Sequence, residues 1–409
     1  MFLQKRLITW IDSIRSQISL PLRIELWNGQ KIDLSSETPR VTIRLPQASA
    51  ARYLLTPSLS NLGSAYVEGA IEVQGAATDM ISIVNALAHT SLKSRRKFGR
   101  IAHSVRHNKR MDAQAIRYHY DVSNEFYAQF LDPALIYSCA YFEHGDESLA
   151  LAQEKKIDHI LKKIQLQAGQ SLLDIGCGWG GLVLRAARQY GARCVGVTLS
   201  ENQYDLARER VARAGLAHLV EIRLQDYRDV TGKFDRITSV GMFEHVGLRH
   251  LPEYFSSIHG LLEDDGLVMN HGITSSDAEN GQTPYGGGAF IDRYVFPQGE
   301  LAHVGQVLKA MQQGALEAFD VENLRRHYAQ TCAIWTENFE THAATIRQLV
   351  GERRFRIWHV YLAGCSYAFN HDWISLYQIV CGKAGRPARA LPQSRRYMYC
   401  AENILRHET

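Results

Sequence analysis

The stretch Leu172-Leu173-Asp174-Ile175-Gly176-Cys177-Gly178-Trp179-Gly180-Gly181 constrains the fold more than any other part of this chain. An apolar strand runs into a turn of alternating glycines, and a helical pattern begins at Leu182-Val183-Leu184. Glycine lets a backbone adopt left-handed conformations and approach a ligand with no Cβ in between. Between a buried strand and a helix N-terminus, such a turn lines the mouth of a nucleotide-type pocket. The spacing is Asp-x-Gly-x-Gly-x-Gly, with the acid two residues before the first glycine. Dinucleotide enzymes instead use Gly-x-Gly-x-x-Gly with an acid about 20 residues later. The form here points to S-adenosylmethionine (SAM). The plainer alternative is a tight strand-to-helix turn that holds no ligand.

The flanking pattern is α/β. Strands are predicted at Ser171–Ile175, Arg193–Thr198, Val220–Leu224, Phe234–Val240 and Leu267–Gly272. Helices are predicted at Leu149–Ile164, Leu182–Tyr190, Glu201–Arg213 and Tyr254–Leu262. A parallel sheet with crossover helices requires this alternation. Residues 276–300, rich in Gly, Asp, Asn and Pro, read as a loop that leaves the sheet and covers the site. At 409 residues the chain has room for a second domain. The expectation is a doubly wound, Rossmann-like domain over 111–409 and a smaller α+β domain over 1–110.

Phe2, Leu3, Leu7, Trp10, Ile11, Ile14 and Ile18 recur at helical spacing, with Lys5, Arg6 and Arg15 between them. Such a helix packs on its own domain or lies on a bilayer. Short strands are predicted at Leu22–Trp27, Val41–Leu45 and Ile71–Val73, then a helix at Ala77–Leu87. Residues 91–112 contain no acid before Asp112 and read as a basic connector that is solvated or meets phosphate headgroups. A net charge of +4 is too small to argue for nucleic acid and suits an anionic membrane surface. No apolar run is long enough to cross a membrane, and Met1-Phe2-Leu3-Gln4-Lys5-Arg6 does not read as a secretory signal. Seven cysteines without paired spacing argue for reduced thiols in a cytosolic setting. Without Cys-x-x-Cys or His-Glu-x-x-His spacing, no metal is expected.

Candidate chemistry gathers at predicted strand ends. Thr198-Leu199-Ser200-Glu201-Asn202-Gln203 offers polar groups to a ribose, although Ser200 also reads as a helix N-cap. Asp226-Tyr227 follows the third strand, where an acid can meet an adenine amine or simply shape a turn. Glu244-His245 closes the fourth strand, at the edge where open α/β sheets bind ligands. His271 ends the next strand and reads as a group facing that crevice or as an interior histidine. Before the glycine turn, Tyr118–Tyr127 and Tyr137-Ser138-Cys139-Ala140-Tyr141-Phe142 are dense in aromatics and read as a cap over the pocket. Cys139 alone reads as buried packing.

Taken together, Tyr-Asp-x-Ser-Asn-x-Phe-Tyr, Tyr-Ser-Cys-Ala-Tyr-Phe, Leu-Asp-Ile-Gly-Cys-Gly-Trp-Gly and Gly-Met-Phe-Glu-His-Val-Gly resemble the cyclopropane-fatty-acid synthase family. Phe290-Ile291-x-Arg293-Tyr294-x-Phe296-Pro297-x-Gly299 and His327-Tyr328 followed by Trp335 extend the likeness over about residues 115–385. Leu62-Gly63-x-Ala65-Tyr66-x-Glu68-Gly69 resembles the extra N-terminal domain of the longer bacterial members. The resemblance implies methylene transfer from SAM to the cis double bond of an unsaturated phospholipid acyl chain, with a bound bicarbonate as the base. It places Cys139, Glu244, His271 and Tyr328 around bicarbonate, with Ile273 contributing its backbone. It places Tyr137, Ser138, Asp174, Gly176, Gly178, Gly180, Thr198, Leu199, Ser200, Gln203, Asp226 and Tyr227 on SAM. An anion beside Glu244 needs a bridging proton and donors, expected from His271, Tyr328 and the thiol.

The chain departs from the family pattern at Gly272, where Thr is usual, and at Glu300-Leu301-Ala302-His303, where Pro is common. The glycine is expected to loosen the strand end. Alternatives with the same fold are methyl- or methylene-branched products, a small-molecule N- or C-methyltransferase, and a non-catalytic lipid-binding subunit. The implied partner is a phospholipid surface, with the protein a homodimer in the cytoplasm at the inner membrane. The N-terminal domain is expected to present lipid or mediate dimerisation.

Overall fold

The computed structural model describes residues 2–92, 122–279, 287–296, 299–385 and 391–399. Most of the basic connector, the sequence boundary near residue 110, Tyr118–Asp121 and Pro297 lie outside the described residues. In chain order the elements are α1 (Phe2–Arg15), β1 (Leu22–Glu25), β2 (Lys31–Asp33), β3 (Val41–Arg44), α2 (Ala51–Leu55), α3 (Leu59–Val67), β4 (Glu72–Gln74) and α4 (Ala77–Leu92). Next come α5 (Asn124–Ala128), α6 (Leu149–Lys163), β5 (Ser171–Ile175), α7 (Gly181–Tyr190), β6 (Arg193–Thr198), α8 (Glu201–Arg213), β7 (Val220–Leu224) and β8 (Phe234–Val240). The rest are α9 (Leu251–Leu261), β9 (Leu262–Ser275), α10 (Gly287–Tyr294), α11 (Val304–Gln313), β10 (Leu316–Asn323), α12 (Arg325–Thr341), α13 (Ala343–Asn370) and β11 (Ile374–Lys383).

The chain forms two compact units, one of residues 1–104, 282–298 and 332–371, the other of 105–281, 299–331 and 372–409. In the first, a small mixed sheet has the order β2-β1-β3-β4. Leu7, Ile11 and Ile14 of α1 are buried with Leu22 and Ile24 of β1 and Val41 and Ile43 of β3. The apolar stripe of α1 therefore faces its own core. Ala363 of α13 belongs to that core, and Asn85 of α4 donates to the Tyr367 hydroxyl at 2.6 Å. The stretch expected to be loop over 276–300 includes helix α10. Phe290 and Tyr294 fall four residues apart on one helix face and are buried with Val67. A Cβ on Gly63 would lie 2.9 Å from the Phe290 ring, so glycine there is what lets α10 approach α3. The Tyr294 hydroxyl donates to Glu68 at 3.1 Å. Two of the family-like motifs thus serve as each other's packing partners.

The second unit holds a sheet of order β10-β11-β9-β8-β5-β6-β7. Strands β5 to β9 are parallel, and Leu172, Leu173, Ile175, Ile237 and Val268 are buried, as strands covered on both faces require. The sequence pattern predicts a parallel sheet, and the observed sheet departs from it: β11 runs antiparallel to both β9 and β10. The chain builds outward from β5 through β6 to β7, then from β8 through β9 in the other direction. The carboxyl ends of β5 and β8 thus flank a topological switch point, where ligands bind in folds of this type.

Candidate functional site

The loop after β5 carries Gly176, Gly178 and Gly180 at φ +81°, +54° and +80°. These left-handed angles account for the alternation, since residues with a Cβ rarely adopt them. A Cβ on Gly178 would meet nothing within 4 Å, so the backbone there borders open space. Asp174 is buried and accepts from the Thr238 hydroxyl at 2.7 Å. Burial pushes its carboxyl up to about 6 against the pull of Thr238 and Lys156. Aromatic rings gather beside the loop: Tyr127 lies 5.0 Å from Trp179 and 5.5 Å from Tyr137, centroid to centroid. Trp179 donates its indole N–H to Asn124 at 2.7 Å. The described part of the aromatic segment therefore packs on the glycine loop.

At the end of β6, Thr198, Ser200 and Gln203 are buried and bonded to one another. The Thr198 hydroxyl pairs with Gln203 Oε1 at 2.9 Å, and Ser200 Oγ accepts from Gln203 N at 3.4 Å as the N-cap of α8. Leu199 lies between them, half-buried. Asp226 accepts from both the backbone and the guanidinium of Arg228, at 2.9 and 2.6 Å, while Tyr227 is buried edge-on to Tyr254. Ser138 Oγ accepts from Lys156 Nζ at 2.7 Å.

The carboxylate follows the end of β8, whereas the imidazole lies within β9, which runs on to Ser275 rather than ending at the predicted Gly272. β8 stops at Val240, the register partner of His271, and a 3-10 turn, Phe243–His245, follows. Beyond that stop the Ile273 N–H has no β8 residue to meet, and Glu244 Oε1 accepts it at 2.7 Å. Ile273 thus gives its N–H to Glu244. Burial pushes the Glu244 carboxyl up to about 7, with the Ile273 N–H pulling the other way. Burial, helped by Lys156 and Lys163, drives His271 well below the usual histidine range, so the ring is neutral. Glu244 Oε2 and His271 Nε2 are both buried without a hydrogen-bond partner. Gly272 does not loosen the strand. A Cβ there would lie 2.2 Å from the buried Phe243 ring and 3.0 Å from Glu244 Oε1, so the glycine is the space those groups fill.

Cys139 and Tyr328 meet at one carbonyl. Leu324 O accepts from Tyr328 N at 3.0 Å and from the Cys139 thiol at 3.9 Å. The thiol also reaches Ala140 O at 3.2 Å, and burial pushes its pKa up, so it acts as a donor rather than a thiolate. Leu324 N in turn donates to Leu376 O, and Leu376 pairs with Ile273. Cys139 and Tyr328 are thereby tied to the part of β9 that carries Ile273, the donor to Glu244.

Three residues around the site were not read from the sequence: Lys156, Lys163 and Gln378. Lys156 and Lys163 are buried on α6 with Ala152 and Ile160. Residues 152, 156, 160 and 163 form one helical stripe, and two lysines on an otherwise apolar stripe were the available signal. Lys156 is pushed down to about 8 by burial, opposed by the nearby Cys139, Asp132 and Asp174.

Two family profiles match the chain: mycolic acid cyclopropane synthetase over residues 107–379 and a domain of unknown function over 9–96. A probable fatty acid methyltransferase of Pseudomonas putida is 44% identical over 385 residues, 93% of this chain and 97% of its own. The cyclopropane-fatty-acyl-phospholipid synthase of Escherichia coli K12 is 39% identical over 262 residues, 64% of this chain and 66% of its own. A crystal structure of a mycolic acid cyclopropane synthase with SAH and CTAB superposes with a TM-score of 0.64 at 34% identity, over 66% of this chain and 98% of that one. The chain therefore belongs to the mycolic acid cyclopropane synthetase family of SAM-dependent methyltransferases.

Proposed function

We propose that the protein transfers a methylene unit from SAM to the cis double bond of an unsaturated phospholipid acyl chain and closes a cyclopropane ring, with bicarbonate as the base. The observation that carries this is the pair of buried, unpartnered atoms Glu244 Oε2 and His271 Nε2, since buried polar atoms in native proteins are nearly always satisfied. When bound, SAM would supply an electrophilic methyl group and bicarbonate would supply the base.

The residues fit both guests. The backbone at Gly178 leaves room for the cofactor, and Ser138, already accepting from Lys156, has its own O–H to donate. Thr198, Leu199, Ser200, Gln203, Asp226 and Tyr227 line the neighbouring strand ends. Glu244, with its carboxyl near 7, can keep the proton that an anion beside it needs. His271 and Tyr328 are the further donors in this reading, while the Cys139 S–H, turned to the Ala140 and Leu324 carbonyls, would have to rotate to join them. The rings of Tyr127, Tyr137 and Trp179 give faces that favour developing positive charge on the substrate.

The reading includes a cytoplasmic protein docked on the inner membrane, presenting lipid through its N-terminal unit as a homodimer. The net charge of +4 supports the surface, and among the described residues no helix is long and apolar enough to cross a membrane. A branched-chain product is the second reading, favoured by the Pseudomonas putida relative, which carries the methyltransferase name along nearly its whole length.

Mass spectrometry of fatty acyl methyl esters, after incubation with SAM and cis-unsaturated phospholipid vesicles, separates the two. Gain of CH2 that resists mild hydrogenation is expected. A gain that hydrogenates readily to a branched chain supports the second reading. SAM binding without any lipid product overturns both.

A further inference from the structure

Glu322, Gln378 and His271 are register partners on three adjacent strands, β10, β11 and β9, and therefore share one face of the sheet. Lys163, in the last turn of α6, reaches this row. Its ammonium contacts Glu322 and donates to Gln378 Oε1 at 2.9 Å. Gln378 Nε2 lies 3.2 Å from His271 Nδ1. Lys163 and Gln378 are fully buried, and His271 nearly so.

The donor inventory leaves one arrangement. An ammonium only donates, so the Gln378 oxygen must face Lys163 and its NH2 group must face His271. An amide NH2 only donates, so Nδ1 must accept and carries no proton. In a neutral ring the proton is then on Nε2, the atom without a partner. Lys163 keeps its charge through its acidic neighbours. Glu322 is held down at about 2, although burial alone would raise it, by bonds from His159 and Lys163, and Asp320 lies 3.9 Å from the Lys163 ammonium. Asp320 also pairs with Arg395 at 2.5 Å, and His159 reaches Glu322 at 2.8 Å.

We propose that Gln378, oriented by Lys163, is a positioning residue that fixes His271 in the tautomer protonated at Nε2, so that the imidazole meets the anion of the reaction as a donor and never as an acceptor. The proposal rests on the anion reading of the site. It assigns His271 no proton transfer, since its one open nitrogen is already protonated, and leaves proton removal to the anion.

The test is long-range 15N–1H NMR of the full chain labelled at histidine, with the His271 signal assigned by its loss in His271→Asn. Wild type is expected to show Nε2 protonated and Nδ1 bare. Gln378→Glu puts an acceptor opposite Nδ1, so the proton should move to Nδ1. The bicarbonate concentration for half-maximal rate should then rise at least about tenfold, as expected for losing a hydrogen bond to a charged group. SAM affinity should stay within about twofold, since the hydrogen bonds of Gln378 and Lys163 run to each other, to His271 and to Glu322 rather than to residues placed on SAM. Lys163→Met releases the amide and should give mixed tautomers. A wild-type ring protonated at Nδ1, or an unchanged tautomer in Gln378→Glu, overturns the proposal. An Nε2-protonated ring in an enzyme indifferent to bicarbonate keeps the tautomer assignment and overturns the anion reading instead.

Discussion

A carboxyl group that holds its proton to about pH 7 ties the chemistry of Glu244 to the stability of the fold. Between about 4.5 and 7 the folded chain keeps a proton that the unfolded chain has released. This contribution is therefore fully present below about 4.5 and is lost as pH rises through 7. Raising the carboxyl from its usual range to about 7 corresponds to about 3 kcal/mol. Gln at this position can still accept from Ile273 and cannot ionise. Glu244→Gln should accordingly show a flatter stability profile between pH 5 and 8, by denaturant unfolding in bicarbonate-free buffer. The same variant should lose turnover by at least about a hundredfold with SAM affinity nearly unchanged. A fall in SAM affinity as large as the fall in rate would assign Glu244 to cofactor binding.

At the scale of elements, the β9 end is built around an absence. Gly272 leaves the space that the Phe243 ring occupies, and Phe243 is itself buried. Gly272→Ala should therefore destabilise by about 1–3 kcal/mol, the usual effect of overpacking. Adding Phe243→Leu should recover much of it, read as the midpoint of denaturant unfolding. An additive or worse double variant would mean that the ring is not the obstacle. The five parallel strands were legible because strand-like runs alternate with helical patterns between residues 171 and 275, although β9 spans Leu262–Ser275 rather than the predicted Leu267–Gly272. Glu244, His271 and Ile273 were legible because their motifs lie at the ends of those runs. Gln378 was not. It sits in a strand buried on both faces, 107 residues from the histidine it bonds, and only antiparallel register brings the two together. Helix α10 was hidden by the glycines at its start, since its stability comes from Phe290 packing at Gly63 rather than from local propensity.

At the scale of the molecule, the N-terminal unit is discontinuous in sequence. Arg356 of α13 binds Glu72 at 2.8 Å and the Tyr66 carbonyl at 2.8 Å, and His359 lies between Glu340 and Tyr66 at 2.8 and 3.3 Å. Cutting the chain after residue 104 strips Glu72 and Tyr66 from α13 and uncovers Ile357 and Ala363, which are buried with residues of the N-terminal segment in the intact chain. A protein of residues 105–409 is expected to be aggregation-prone, with a transition at least several degrees lower by calorimetry. A soluble truncation with an unchanged transition would show that residues 332–371 do not depend on the N-terminal segment.

The same discontinuity imposes a schedule on synthesis. The first unit needs residues up to 371, so its opening segment leaves the ribosome long before the last of its core exists. At roughly 5–20 residues per second, the intervening stretch of about 270 residues takes on the order of 14 to 54 seconds. During that interval Leu54, Leu62 and Leu87 lack part of the surface that finally covers their core, and the nascent chain is a natural client for a holding chaperone.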